Sequence, residues 1–423
     1  MNAELVAAWA EGSEMNRRRV ALAARRVASG HTQETFAERL GVERSTVLRW
    51  ESGKSAPHPW VRPKIATALS ITLDDLAEML SPGGTGGTAH PGIDMHDDID
   101  SQGDLVHAQI PALRRVLDAH DLVDDGPTRT RRELEPVVAA VVASRLQSRY
   151  GDLAMQIPVL LPELIRAFGS VEGAERAAVA GLLAQVYRAA DAIADKYGYY
   201  DLSARIIGLM EWAAREAGDD LLIGTAAYVR AETFFANGDL HTGRRMLEKA
   251  AGPLQARGSA NAEAVYGALH MRAAVTAARA SLAASARDHL AEAQGSALQV
   301  DEGVYFGTAF GPASVRIHRV SLAVELGDTG SALLTAAGWS PPTNLPAERR
   351  SHFHVDLGRA HHQAGRPEQA LEALLAARAA APEHIQSHPQ VREIIRHMHQ
   401  SHPTPTSTLV EFSRWMGRPA RMA

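Results

Sequence analysis

Near the N-terminus, two short helical patterns separated by a glycine constrain the fold more than any other feature of the chain. Residues 33–40 carry apolar side chains at helical spacing, and Gly41 ends that pattern. A second pattern begins near Glu43 or Arg44 and runs to Gly53. Thr32 precedes the first pattern, where its hydroxyl can cap a helix. Two short helices joined by a tight turn that contains glycine predict a helix-turn-helix domain.

The charge of the chain is unevenly distributed. The whole sequence carries −5, yet residues 15–65 contain eleven Lys and Arg against four Glu, which gives this segment +7 and the remainder −12. Nucleic-acid phosphates attract a local excess of basic side chains, so the net charge of the whole chain does not argue against DNA. We therefore expect a basic N-terminal module on an acidic body.

The helix-turn-helix segment matches a known pattern at many positions. These are Gln33, Ala37, Leu40, Gly41, Val42, Ser45, Val47, Trp50, Glu51, Gly53 and Pro57, followed by Ile65, Ala66, Leu69 and Leu76 as helical core. On these residues the segment resembles the XRE family of bacterial transcription regulators, which is related to the lambda and 434 repressors. The resemblance implies a helix-turn-helix fold and sequence-specific binding to double-stranded DNA.

The resemblance also implies which residues contact DNA. In the family, the third helix enters the major groove and its N-terminal residues reach the base edges. Arg44, Ser45 and Thr46 occupy those positions here. Arg44 can make a bidentate contact to guanine, and Ser45 or Thr46 can contact a base or a phosphate. Arg49, one turn further on, is expected to contact a base or the DNA backbone.

The segment before these two patterns, residues 16–29, is predicted to form a first helix, so that residues 33–40 form the second helix and the pattern ending at Gly53 the third. Phosphate contacts are expected from residues around the second helix and the first. Thr32 and Gln33 open the second helix, where side-chain donors and backbone N–H groups can hold a phosphate. Lys54, Arg17 and Arg18 are further phosphate candidates. For Arg17 and Arg18, a solvated surface charge is an equally weighted alternative.

Three other residues of the segment have structural interpretations. Phe36 and Trp50 are expected in the core. Glu51 is expected to pair with an arginine of the first helix instead of contacting DNA. The family usually has a small or amide residue where this chain has Arg44, so the operator sequence cannot be carried over.

A glycine-rich and then acidic stretch separates the first domain from the rest. Residues 81–92 are rich in glycine and residues 93–100 in aspartate, with no periodic apolar pattern, as is typical of a flexible tether. The sequence thus predicts an all-α chain in four parts. These are a helix-turn-helix domain over residues 1–80, a flexible linker over 81–104, a helical-repeat domain over 105–400 and a C-terminal tail over 401–423.

Internal repeats support the helical-repeat assignment. Small residues that follow a turn recur at Ala204, Gly243, Ala286, Ala332 and Ala370. Residues 351–384 and 224–257 have the spacing of the tetratricopeptide repeat and resemble it, and weaker echoes occur at 199–214, 281–293 and 326–336. The pattern predicts an α-solenoid of about five helical hairpins.

The first helices of such hairpins line a concave groove. On the clearer repeats, this places Tyr228, Glu232, Phe235, Arg359 and His362 on the groove side, as candidate contacts for an effector or partner. Ordinary packing is the alternative for each of them.

Glycine and aromatic residues interrupt the helical pattern over residues 306–320. The interruption is either part of a pocket or a plain connection between repeats.

Enzyme chemistry has no support in the sequence. There is no phosphate-binding glycine-rich loop and no nucleophile elbow, and the absence of cysteine excludes thiolate chemistry. The 19 histidines form no His-Glu-x-x-His pair, and their spacings fit exposed helix faces, so no metal site and no cofactor are predicted. Without cysteines, a signal-peptide pattern or a long apolar run, a cytoplasmic protein that does not contact a membrane is expected.

The leading hypothesis is a homodimeric transcription regulator whose repeat domain dimerises, binds a peptide or small-molecule effector, or does both. A dimer is expected because helix-turn-helix domains usually read two half-sites about 34 Å apart. The alternative is a protein-interaction adaptor in which the groove binds a partner and the DNA-binding domain only localises the complex.

Overall fold

The computed structural model describes residues 17–40, 42, 44–52, 57, 61–69, 71, 73–80, 101–122, 125–255, 258–386, 388–401 and 406–416. These residues are almost entirely helical, which confirms the all-α prediction. We call the described residues up to 80 the head and those from 101 onward the body.

Short helices form the head. They are α1 (Arg17–Ala28), α2 (Gln33–Leu40), α3 (Arg44–Ser52), α4 (Arg62–Leu69) and α5 (Leu73–Leu80). Phe36 and Trp50 are 1% and 3% exposed, which confirms their predicted core positions. Together with Leu22 of α1, they belong to one apolar cluster that all five helices support. Burial of this cluster holds helices that are individually too short to be stable in water.

Longer helices form the body. They are α6 (Ser101–Asp118), α7 (Arg131–Leu146), α8 (Tyr150–Ser170), α9 (Gly173–Lys196), α10 (Tyr200–Glu216), α11 (Asp220–Asn237), α12 (Leu240–Ala251), α13 (Ala260–Arg279), α14 (Ala283–Ala297), α15 (Pro312–Glu325), α16 (Thr329–Ala336), α17 (Ala347–Gln363), α18 (Pro367–Ala380), α19 (Pro382–Gln386), α20 (Pro389–Ser401) and α21 (Ser407–Met416). A 3-10 turn, Gly252–Leu254, follows α12.

Helices α9 to α18 pair into five successive hairpins within the described body, α9/α10 to α17/α18. Each hairpin turn has a residue in the left-handed region, with φ between 62° and 81°: Gly198, Gly238, Ser281, Gly327 and Gly365. The fourth residue of each following helix is small and buried, so the two helices can approach closely. These residues are Ser203, Gly243, Ala286, Ala332 and Ala370.

The first of these small positions corrects the sequence analysis by one residue. Ala204 was expected there, but its side chain is exposed, and Ser203 occupies the equivalent buried position. Because a hydroxyl can be buried only with a partner, Ser203 donates to the Asp191 carboxylate at 2.6 Å. A hydrogen-bonded serine thus replaces the alanine that the repeat pattern favours.

The predicted domain boundaries differ from the structure at two places. Helix α6 begins at Ser101, inside the predicted 81–104 linker, and buries Val106 against the body. The predicted 401–423 tail contains α21, whose Phe412 is 1% exposed in an apolar cluster with α18 and α20. Amphipathic helices thus extend the body at both ends. The linker residues 81–100 lie outside the described residues.

A β-hairpin interrupts the helices where residues 306–320 were expected to break the pattern. Strands β1 (Gly303–Tyr305) and β2 (Thr308–Phe310) pair antiparallel, and no strand was predicted there. Phe310 packs its ring against Gly267 of α13, where any Cβ would overlap the ring. A side chain from β2 therefore fills the space that a glycine leaves on a helix.

One described helix, α9, is long and apolar enough to cross a membrane by length and composition alone. Within its apolar stretch, 72% is buried inside the protein, which is the position of a core helix.

Candidate functional site

The N-terminal end of α3 carries the predicted base-reading residues. The Arg44 side chain is 63% exposed and lies 2.7 Å from the Glu34 carboxylate of α2. An exposed pair of this kind is weak, so DNA can displace Glu34 and take the guanidinium. The position of Arg44 is therefore compatible with its predicted contact to guanine.

Residues at the start of α2 have different roles from each other. Thr32 caps the helix, because its hydroxyl accepts a hydrogen bond from the Thr35 N–H at 3.1 Å. The Gln33 side-chain amide donates to the Glu51 carboxylate at 2.7 Å, so it must leave that partner before it can hold a phosphate. Glu51 in turn forms a buried ion pair with Arg26 of α1 at 2.6 Å, as the sequence predicted.

The structure describes the other residues that are predicted to contact DNA only in part. Ser45 and Arg49 lie on α3, and Arg17 and Arg18 open α1, but the side chains of all four lie outside the described structure. Lys54 lies outside the described residues. Their contacts to DNA stay predictions.

Thr46, the third predicted base-reading residue, packs against the body. Its side chain is only 6% exposed, and its hydroxyl donates to the Ser281 hydroxyl at 3.1 Å. Ser281 is the turn residue of the hairpin α13/α14. In this conformation Thr46 is covered, so it can contact DNA only after the head separates from the body.

Two more contacts hold the head against the body. The Lys64 ammonium group donates to the Gly238 carbonyl at 2.9 Å, at the C-terminal end of α11. A cation is favourable there because it faces the negative end of the helix dipole. Arg62 pairs with Glu393 of α20 at 3.0 Å. The head therefore contacts two successive hairpin turns and the C-terminal part of the body.

The concave face of the hairpins encloses a cavity of about 640 Å³. Its walls come from α7, α9, α11, α13 and α17 and from the β-hairpin. Lys196 at the end of α9 pairs with Glu348 at the start of α17 at 3.1 Å, which joins the first hairpin to the fifth. This ion pair therefore links the first and fifth hairpins beside the cavity.

Basic side chains exceed acidic side chains in the described lining. The six basic residues are Arg145, Arg188, Lys196, Arg272, Arg279 and Arg349, and the four acidic residues are Asp191, Asp195, Glu232 and Glu348. Burial raises the pKa of Asp191 well above its usual range, which weakens its tendency to carry a negative charge. The lining thus has a positive excess.

Two of these arginines hold the β-hairpin through neutral acceptors. Arg145 donates to the Gly307 carbonyl at 2.6 Å. Arg188 donates to the Phe306 carbonyl and to the Thr308 hydroxyl, each at 2.7 Å. Burial and the neighbouring Arg145 lower the pKa of Arg188 to about 9, which is still protonated at neutral pH. The cavity therefore keeps buried positive charge on groups whose acceptors here are uncharged.

Tyr228 lies at the centre of the basic side chains. Arg272 stacks over its ring at 4.2 Å, and the Arg349 guanidinium lies 3.4 Å from its hydroxyl. Burial raises the pKa of Tyr228, but the guanidinium groups of Arg272, Arg349 and Arg188 outweigh it and lower the pKa to about 8. The Tyr228 phenol thus experiences the same positive electrostatic potential that would act on an anionic ligand in the cavity.

The structure separates the predicted groove residues into two sets. Tyr228, Glu232 and Phe235 line the cavity. Arg359 does not line it, because it is buried in ion pairs with Glu325 at 3.0 Å and Asp356 at 2.9 Å.

His362 also lies elsewhere, stacked on His397 with ring centroids 5.8 Å apart. For Arg359 and His362 the prediction was wrong, because helical spacing alone does not fix the rotation of α17 about its axis.

Sequence reasoning missed most of the lining. Arg145 and Arg188 lie before residue 199, where the first predicted repeat begins. Arg272 lies before residues 281–293, where the repeat pattern is weak. The sequence feature that could have identified these residues is an arginine on an otherwise apolar helix. Because burying a charged side chain is costly, a buried arginine is rare unless it has a role.

Histidines were also expected on exposed helix faces, yet His384 is 2% exposed and lies beside His352 and His388. These three side chains could hold a metal ion.

Comparison with known proteins identifies the head alone. The Helix-turn-helix family (HTH_3) matches residues 22–77. Searches of curated proteins and of solved structures found no significant match to the chain. Residues 22–77 are therefore an XRE-type helix-turn-helix domain, which supports DNA binding by the head.

Proposed function

We propose that the body binds a small organic anion in its cavity and thereby controls whether the head engages DNA. The observation that carries the proposal is the cavity with its excess of buried arginines. Its volume falls within the range of about 300–1,000 Å³ that small-molecule sites occupy. A cavity of this size, lined from several helices, favours a small molecule over a long peptide and over the adaptor alternative.

The chemistry of the lining supports an anionic effector. The Nε–H groups of Arg145 and Arg272 are buried and have no acceptor among the described residues. A buried donor without an acceptor costs about 1–3 kcal/mol, which a carboxylate or phosphate could recover. Tyr200, Tyr228 and Phe235 supply aromatic surface for the rest of the ligand.

The route from the cavity to the head is short. Helix α11 carries Tyr228 and Glu232 in the cavity and ends at Gly238, which accepts from Lys64 of the head. Helix α13 carries Arg272 in the cavity and ends just before Ser281, which contacts Thr46. A shift of α13 on ligand binding would therefore move the turn that covers Thr46 of α3, the recognition helix, and a shift of α11 would move the turn that contacts Lys64 of α4. A tetratricopeptide-like homodimer in the cytoplasm, with two heads on paired half-sites, completes the proposal.

DNA binding is tested by gel shift with the promoter region of the chain's own gene at several salt concentrations. We expect selective, salt-sensitive binding that Arg44→Ala weakens by about 1–3 kcal/mol, or roughly 5- to 150-fold. Arg215→Ala is the matched control, because it removes one exposed arginine of the body. Equal binding by Arg44→Ala and the wild type would exclude the predicted base contact.

The effector is tested by mass spectrometry of small anions released from the purified full chain. We expect an anion that the wild type and Arg215→Ala retain and that Arg188→Met loses. Returning it should change the DNA affinity of the wild type but not of Arg188→Met. If the same anions leave all three proteins, the cavity is not the binding site.

A further inference from the structure

Three histidines from separate segments of the body meet beside the cavity. His352 lies on α17, His384 on α19, and His388 just before α20. One ring nitrogen of each lies within 4.8 Å of one ring nitrogen of the others. The ring of His384 is 4.5 Å from that of His352 and 5.1 Å from that of His388, between centroids. Imidazole nitrogens grouped in this way are the ligand set that zinc-class ions prefer.

The surroundings of the rings fit metal ligands. The Ser351 hydroxyl lies 3.0 Å from His384 Nδ1, and such an outer contact fixes the tautomer of a ligating histidine and makes Nε2 the coordinating nitrogen. His388 Nδ1 is buried and has no hydrogen-bond partner among the described residues. Because a buried polar nitrogen without a partner is costly, its position calls for a ligand.

A carboxylate is available as a fourth ligand. Glu348, one helical turn before His352 on α17, lies 3.5 Å from His352 Nε2. Burial would raise the pKa of Glu348, but Lys196 and His352 outweigh it and hold the pKa well below its usual range.

We propose that His352, His384 and His388 bind one zinc-class divalent cation, with the Glu348 carboxylate as fourth ligand. Ligand nitrogens around a tetrahedral zinc ion lie about 3.4 Å apart, so small ring rotations close the present separations. His352 and Glu348 also line the cavity, which provides the entry path. The ion ties α17 to the segment between α19 and α20, and the proposal does not depend on an anionic effector.

The test uses the full chain after treatment with a chelator and dialysis. Isothermal titration with Zn²⁺ should give one tight site per chain, and Co²⁺ should give the visible absorption of a tetrahedral site. His388→Gln should weaken Zn²⁺ binding by at least about 100-fold, above what the loss of an outer-shell partner costs. His361→Gln is the matched control, because the His361 Nδ1, like that of His388, is buried without a partner among the described residues, while His361 lies outside the cluster.

Other outcomes would overturn the proposal. One is the absence of a stoichiometric Zn²⁺ site in the wild type. The other is an equal loss of Zn²⁺ affinity in His388→Gln and His361→Gln, which would indicate that Zn²⁺ binds to scattered surface histidines. Circular dichroism in chelator checks that each variant is folded. If His388→Gln is not folded, His352→Gln replaces it, since His352 is only half-buried and borders the cavity. Wild-type affinity in that variant would also refute the site.

Discussion

The interiors of the head and the body both bury arginine, but they treat its charge differently. In the head, Arg26 faces the Glu51 carboxylate at 2.6 Å, with both side chains less than 10% exposed. In the body, Arg145 and Arg188 donate to backbone carbonyls and a hydroxyl. The head neutralises the buried charge of Arg26 with Glu51, whereas the cavity lining of the body keeps a positive excess.

This difference separates a structural network from a binding site. A buried ion pair with further hydrogen bonds fixes the geometry of α1, α2 and α3 and leaves nothing for a ligand. Buried cations that have only neutral acceptors keep a strong field in a low dielectric, which an anion can neutralise.

The largest effect is expected in the head. Glu51→Gln leaves the Arg26 charge buried without a counter-charge, so the free energy of unfolding of the head should fall by about 3–5 kcal/mol. Hydrogen–deuterium exchange of the head amides in the full chain measures this loss. Glu38→Gln, an exposed position on α2, is the control and should leave exchange unchanged. A loss below about 1 kcal/mol in Glu51→Gln would mean that the pair is not structural.

The positive charge around Tyr228 in the cavity should make the free energy of unfolding depend on pH. The pKa of Tyr228 is lowered to about 8 in the folded state, against about 10 when unfolded, so the unfolded chain binds more protons between these values. Stability of the wild type should therefore rise by up to about 3 kcal/mol from pH 8 to pH 10 relative to Tyr228→Phe. Urea unfolding at both pH values measures the difference, and parallel curves would contradict a field of this strength.

Packing of the β-hairpin, which forms part of the cavity wall, should depend on Gly267. A methyl group there overlaps the Phe310 ring and would push the β-hairpin from α13, so Gly267→Ala should destabilise by about 1–3 kcal/mol. Gly208→Ala, on α10 with open space around its Cα, is the control and should stabilise by about 0.5–1 kcal/mol. Thermal unfolding measures both. Stabilisation by both variants would show that the β-hairpin is loosely packed against Gly267.

The smallest effect is expected where the two regions meet. Glu393→Arg places a like charge opposite Arg62 and should weaken docking of the head by up to about 1 kcal/mol. DNA affinity in the gel shift should rise by up to about fivefold, because the recognition helix is covered for less of the time. Glu411→Arg, an exposed position on α21, makes the same charge change elsewhere. An equal rise in both variants would indicate a general charge effect.

Elements whose signal is local were predicted well. The bounds of α2, the start of α3 and the pairing of Glu51 with an α1 arginine follow from residues within one short segment. The five hairpins were found through turn residues and the small residues after them, with Ala204 displaced by one position. The β-hairpin was missed because its three-residue strands give no measurable alternation.

The sequence by itself determined the helix-turn-helix head, its basic charge and the helical repeats behind it, because each depends on residues within a turn or two of one another. Only the tertiary structure decided what the repeats enclose. Packing of the array pairs Lys196 with Glu348 and surrounds Tyr228 with arginines from several helices. It also brings Thr46 to Ser281, 235 residues further along the chain. No local sequence pattern predicts such long-range contacts, because they depend on the summed rotations of successive hairpins.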